Sequence, residues 1–278
     1  MAPSVVSEVE LPARHIPESS ITPAADHPTN KLFSLKGKTV LITGGGRGLG
    51  ITLALAVIEA GGSVACLDIL KSPSADEWAQ LTKVADANKL SATYHECDVT
   101  NEAATEQVTE AVALAAEEKG SQFWGAIACA GITQQIDAME TSANDFERIM
   151  KVNVTGVFNT CKYAARKLKS QSRPGSIVII ASMSGNIANR GLHCAAYNSS
   201  KAAVQQMCRS VAQEWGQYGI RVNTLSPGYI RTAMTDQLLA ENPEVKDKWM
   251  AGALLGRLGA PEDFKAPAWM AATPQLRK

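Results

Sequence analysis

The feature that most constrains this chain is a glycine cluster set between two kinds of pattern. An apolar, β-branched run at residues 39–43 feeds directly into Gly44-Gly45-Gly46-Arg47-Gly48-Leu49-Gly50. A helix-like stretch follows as far as Ala60 and stops at Gly61-Gly62. Glycines in a strand-to-helix turn let the backbone approach a pyrophosphate, and the following helix offers it unpaired N–H groups and the positive end of its dipole. Any tight turn uses glycine. Here an acid, Asp68, ends the next strand-like run at the spacing of a ribose-binding carboxylate, which makes the cluster a dinucleotide-binding signature with Gly44, Gly48, Leu49 and Gly50 at the phosphates.

The rest of the chain repeats the alternation. Strands are predicted at residues 39–43, 63–68, 92–97, 125–130, 176–181 and 220–225, with helices at 50–60, 77–88, 102–118, 143–170 and 195–218. The strand runs show little polar alternation, as expected of strands covered on both faces. Right-handed crossovers then give an α/β fold, a doubly wound parallel sheet of Rossmann type, with its ligand site beyond the carboxyl ends of the strands. Residues 1–30 carry Pro3, Pro12, Pro17, Pro23 and Pro28 without apolar periodicity and are expected to be a flexible tail, leaving 31–278 as one domain.

Charge and composition remove several function classes. Lys and Arg number 27 against 27 Asp and Glu, so the basic surplus of a nucleic-acid-binding protein is missing. No apolar run approaches the ~18 residues of a membrane span. Six cysteines stand singly, without metal-ligand spacing, and are expected to be reduced, mostly buried thiols. The N-terminal segment has no apolar signal stretch, and Glu8, Glu10, Glu18 and Asp26 disfavour a mitochondrial presequence, so the expected location is cytoplasmic.

Two pairs of residues carry the chemistry. Asp68 can accept hydrogen bonds from ribose hydroxyls and repels a 2′-phosphate, favouring NAD, whereas Arg47 in the turn could neutralise that phosphate and favour NADP, or be a solvated turn residue. The balance leans to NAD, with NADP open. Tyr197 and Lys201, at i and i+4, share one helix face, so the ammonium can favour the phenolate of a tyrosine that is otherwise a poor base at neutral pH.

With these residues in place, the chain resembles the short-chain dehydrogenase/reductase family from about residue 35 to 268. The matching motifs are Thr43 to Gly50, Cys97-Asp98-Val99, Ala130-Gly131, Val152-Asn153-Val154, Ile180 to Gly185, Tyr197-Asn198-Ser199-Ser200-Lys201 and Ser226 to Thr232. The resemblance implies that Tyr197 is the proton donor or acceptor, and that Lys201 holds the nicotinamide ribose and lowers the tyrosine pKa. It implies further that Ser182 orients the substrate oxygen and Asn153 holds a relay water. Asp98 and Val99 would flank the adenine, and Ile230 and Thr232 would meet the carboxamide. Ser184 rivals Ser182, which is preferred because S-x-x-G spacing reaches Gly185 only from there.

Within the family, the stretches from Ile180 to Asn189 and Arg221 to Ile230 look like fungal polyol dehydrogenases, with Gln134, Asn186, Asn189 and His193 as polar groups for a polyhydroxylated substrate. The expected reaction interconverts a secondary alcohol and a ketone, with a polyol and ketose pair as first choice. The alternatives are a ketoreductase of fungal secondary metabolism and a catalytically weak dinucleotide-binding interaction module. Two departures stand out. Ala128-Cys129-Ala130-Gly131 replaces the family's N-N-A-G, and after Pro261-Glu262-Asp263 the sequence lacks the usual route to a seventh strand ending in D-G-G. The expectation is an exposed apolar edge along the sixth strand and a weakened homo-oligomer. The five tryptophans are expected to be packing residues.

Overall fold

The computed structural model describes residues 33–231, 235, 239–240 and 243–273. The expected tail at 1–30 and Thr232 lie outside the described residues. The elements run β1 (Lys38–Thr43), α1 (Gly48–Glu59), β2 (Ser63–Asp68), α2 (Ala75–Ala87), β3 (Ala92–Glu96), α3 (Glu102–Glu118), β4 (Gln122–Ala128), α4 (Ala143–Met150), α5 (Val157–Ser170), β5 (Gly175–Ile180), α6 (Ala195–Trp215), β6 (Ile220–Leu225), α7 (Pro243–Ala251) and α8 (Lys265–Ala272). Six parallel strands form one sheet in the order β3-β2-β1-β4-β5-β6. The order reverses between β1 and β4, and ligands of open α/β sheets bind in the crevice beyond such a switch point.

The period-2 geometry of the strands sorts the core into two layers. Leu41 and Leu67 pack with Val112 of α3, Leu168 of α5 and Val204 of α6 on one face. Val40, Ile42 and Val64 pack with Leu53 and Val57 of α1, Leu81 of α2 and Ala272 of α8 on the other. Each central strand therefore presents apolar residues at successive positions, which is why its sequence reads as an unbroken run.

Three features differ from expectation. β4 stops at Ala128, two residues early, and the chain beyond it brings Cys129 and Gly131 to the crevice. The predicted helix at 143–170 is two helices joined by a π turn, Lys151–Gly156, which carries Asn153. Such wide turns inside helices occur mostly at functional sites. β6 pairs only with β5 and is an edge among the described residues, yet its exposed positions are the polar Asn223 and Thr224, while Ile220 and Val222 are buried. The edge expected from the sequence forms among the described residues, but its exposed positions are polar instead of apolar.

The end of α8 is fastened beneath the sheet. Arg221 of β6 donates to Ser176 Oγ (3.0 Å), to the Ala271 carbonyl (3.1 Å) and to the Thr273 carbonyl. Trp124 Nε1 donates to the Ala272 carbonyl at 2.7 Å. Carbonyls that a helix C-terminus leaves without intrahelical partners are thus satisfied by side chains from β4, β5 and β6. No helix among the described residues is long and apolar enough to cross a membrane.

Candidate active site

The glycine turn is shaped by backbone contact. Gly44 has φ +67°, and a Cβ there would lie 2.8 Å from Ala130 Cα, at the junction of the β1 and β4 ends. A Cβ on Gly50 would lie 1.9 Å from the Gly44 carbonyl oxygen, so no side chain fits where the turn meets the first turn of α1. That helix has no acidic residue in its own first turn and no cap from the Arg47 side chain, and among the described residues only Gly48 N–H is taken, by Glu77 Oε1 at 3.0 Å. Its N-terminus therefore keeps the amides of Leu49 and Gly50 for an anion, and the turn fits the pyrophosphate of a dinucleotide. Asp68, at the end of β2, accepts from Gly46 N–H (Oδ2, 2.9 Å) and Leu70 N–H (Oδ1, 3.2 Å). The acid that the sequence placed near the ribose also braces the turn.

Asp98 and Val99 follow β3. Asp98 is exposed and caps its own turn through Thr100 N–H (2.8 Å), and Val99 is buried against Gly156. Neither lines the crevice cavity described next.

That cavity, of about 420 Å³, opens beyond β4 and β5. Leu49, Ser182, Tyr197, Lys201 and Ile230, five of the residues proposed from sequence, line it together. Ser182 follows β5 in extended conformation, and its Oγ accepts from Ser184 N–H at 3.1 Å. Ser184 also lines the cavity, but Ser182 is the serine whose hydroxyl acts on the Tyr197 phenol, opposing the rise of its pKa. Tyr197 stands in the first turn of α6 and Lys201 one turn later, so the i, i+4 spacing turns both to the same cavity.

The electrostatics differ from the expected phenolate pair. Burial raises the Tyr197 pKa above its usual value, and the Ser182 hydroxyl only partly opposes this. Lys201 is 5% exposed, and burial pushes its ammonium down to about 8. Its Nζ donates to the Ile180 carbonyl (2.8 Å) and lies 5.6 Å from the Tyr197 ring centroid. In this state desolvation outweighs the cation, so the lowering of the tyrosine pKa by Lys201 is not found. The phenol is neutral and able to donate.

Asn153 is fully buried, and its side chain is used by the protein. Oδ1 accepts from Ile132 N–H (2.8 Å), while Nδ2 donates to the Ile132 carbonyl (2.9 Å) and to Ser200 Oγ (3.0 Å). The amide ties the loop after β4 to α6, so a relay water would have to be held by other atoms. Cys129, standing where the family has an amide, lines the cavity, and burial pushes its thiol up to about 12 against the pull of Lys201. The other five cysteines are buried and all six are free.

Of the polar groups proposed for a polyol, only Asn189 reaches the cavity, and its Nδ2 donates to Tyr229 Oη at 3.0 Å. Gln134 accepts from Arg148, His193 lies 3.4 Å from Asp137, and Asn186 is exposed. Trp249 departs from the packing role expected of it, because it stacks on Tyr229 (centroids 4.1 Å apart, planes 5° apart) and forms a wall of the cavity. Sequence reading also passed over Gln205. It continues the stripe of Tyr197 and Lys201 at i+8, is buried, and donates to the Ser182 carbonyl (2.9 Å) and Ser226 Oγ (3.2 Å). The signal was present as a polar residue on the buried face of α6.

These features are those of an oxidoreductase that uses a dinucleotide. A family model described as enoyl-(acyl carrier protein) reductase matches residues 44–277. A protein of Aspergillus versicolor named short chain dehydrogenases/reductase notP′ is 41% identical over 242 residues, covering 86% of this chain and 82% of that one. D-arabinitol 2-dehydrogenase (ribulose-forming) of Candida tropicalis is 34% identical, covering 84% of each. The crystal structure of NADPH-dependent 3-quinuclidinone reductase from Rhodotorula rubra superposes with a TM-score of 0.80 at 32% identity, covering 94% of each chain. The chain belongs to the short-chain dehydrogenase/reductase family, enzymes that act on CH–OH groups with NAD(P).

Proposed function

We propose that the protein interconverts a secondary alcohol and a ketone, with Tyr197 as the group that gives or takes the substrate proton. The observation that carries this reading is that the Tyr197 phenol, the Ser182 hydroxyl and the Lys201 ammonium share one cavity with Leu49, which leads from the glycine turn. A carbonyl oxygen placed there accepts from Ser182 and Tyr197, and the neutral phenol supplies the proton of reduction. Ser184 is the secondary choice for the hydroxyl role. Asn153 and Gln205 are positioning residues, holding the loop after β4 and the backbone of Ser182. The dinucleotide, when bound, supplies or accepts the hydride. Gly44, Leu49 and Gly50 face its phosphates while Gly48, whose N–H is held by Glu77, shapes the turn; Asp68 faces its ribose, Asp98 and Val99 its adenine, and Ile230 and Thr232 its carboxamide. Asp68 favours NAD, and Arg47 is the group that would serve NADP.

For the substrate, a polyol and ketose pair is supported by the arabinitol-oxidising relative and by Asn189. A second reading, a ketoreductase acting on a larger and less polar carbonyl compound, is favoured by the cavity walls. Three of the four polar groups proposed for a polyol stay outside, and the Tyr229–Trp249 stack with Ile132, Met183 and Leu192 presents apolar surface instead. Following NADH and NADPH oxidation in the presence of ketoses and of ring ketones tests both. Turnover of ketoses alone would select the first reading and turnover of ring ketones alone the second. Dinucleotide binding without turnover of either would leave only the interaction module.

A further inference from the structure

From sequence, cofactor choice is a contest between one carboxylate, Asp68, and one cation, Arg47. The fold brings a third charge to the same turn. Glu77, half-buried in the first turn of α2, accepts from Gly48 N–H through Oε1 at 3.0 Å. Asp68 accepts from Gly46 N–H at 2.9 Å, and Ser74 N–H donates to the Gly46 carbonyl at 2.8 Å. The amides on both sides of Arg47 are thus each held by a carboxylate, one from the end of β2 and one from α2. Arg47 itself is exposed and forms no ion pair among the described residues.

We propose that Glu77 is a second cofactor-specificity residue, which together with Asp68 outweighs Arg47 and excludes a 2′-phosphate from the adenosine ribose. The proposal rests on the dinucleotide-binding reading above and deepens it. A 2′-phosphate brings nearly two negative charges to the ribose-binding end of the turn, where Asp68 already stands. With Glu77 bonded to the amide that follows Arg47, the turn carries two carboxylates against one guanidinium and keeps a net negative charge. NAD carries no charge at the 2′ position, and the pyrophosphate is common to both cofactors, so Glu77 acts on the choice between them through the 2′-phosphate. The contact also leaves the following amides of α1, at Leu49 and Gly50, for the pyrophosphate.

Direct binding separates this from a merely structural role, with the full chain titrated with NADH and with NADPH and read by energy transfer from protein tryptophan to the reduced nicotinamide. Wild type is expected to bind NADH the more tightly. Glu77→Gln, which keeps an acceptor for Gly48 N–H and removes the charge, is expected to tighten NADPH about fivefold, equivalent to about 1 kcal/mol, and to leave NADH within twofold. Glu77→Ala, which also removes the contact to the turn, is expected to weaken NADH. A Gln variant whose NADH-to-NADPH ratio stays within twofold of wild type overturns the proposal, and so does a wild type that prefers NADPH. A wild type that binds neither dinucleotide overturns the dinucleotide reading and this inference with it, whereas binding without turnover touches only the proposed catalysis.

Discussion

The two halves of the crevice are built in different ways. The cofactor side comes mainly from one contiguous stretch, β1, the glycine turn, α1 and β2, braced by Glu77 of α2, and it works largely through backbone: amides left open at a helix N-terminus and positions where no Cβ fits. The substrate side is assembled from side chains that arrive separately from the loop after β4, from the end of β5, from α6, and from α7 across the sheet. The first is a local solution to binding an anion and recurs wherever that strand–turn–helix unit does. The second depends on where several elements end, so its walls can be rebuilt without disturbing the first.

Substitutions that touch one half should leave the other nearly intact. The largest effect is expected from Tyr197→Phe, which removes the group proposed to transfer the proton. Turnover should fall ~10²- to 10⁴-fold while NADH affinity stays within a few-fold of wild type. Comparable losses of affinity and turnover would mean that the halves are not separable at Tyr197. Asp68→Ala acts on the other side. It is expected to move the ratio of kcat/KM values about tenfold toward NADP, equivalent to about 1.4 kcal/mol, without changing the order in which alcohols or ketones are preferred. A change in that order would show that the ribose end controls the substrate wall.

A smaller shift is expected from Trp249→Leu, which unstacks the Tyr229 wall. KM for a ring ketone should rise about fivefold, with NADH binding unaltered, and an unchanged KM would remove the stack from the substrate site. The last test reads stability and concerns Lys201, where the halves meet. Its pKa is about 8 in the fold and about 10.5 when unfolded. Below pH 8 both states hold the proton and the burial penalty is full. Between about pH 8 and 10.5 only the unfolded chain holds it, so this group makes stability rise with pH. Urea denaturation across that range should show wild type gaining on Lys201→Met, and parallel curves would place the lysine in a wetter site than its burial implies.

Legibility follows the same division. The turn, Asp68 and the Tyr197–Lys201 pair were legible because each depends on residues within one or two turns of chain. The π turn at Asn153 was not, because its widened geometry is fixed by bonds to Ile132 and Ser200, 21 and 47 residues away. The fastening of α8 by Arg221, Ser176 and Trp124 was equally invisible, since helix-terminal carbonyls can be satisfied by any donor the fold brings near. Trp249 read as a packing residue and became a wall only where α7 meets Tyr229.

The order of elements, the parallel doubly wound sheet and the kind of cofactor were determined by sequence alone, because apolar runs, glycine placement and helix periodicity act through short-range geometry and burial. Tertiary structure alone decided that burial raises the Tyr197 pKa, that Lys201 is held by the Ile180 carbonyl, that Glu77 joins Asp68 at the turn, and that three of the four polar groups proposed for a polyol stay outside the cavity. Each of these turns on desolvation or on a contact between distant segments, and neither exists until the chain has folded.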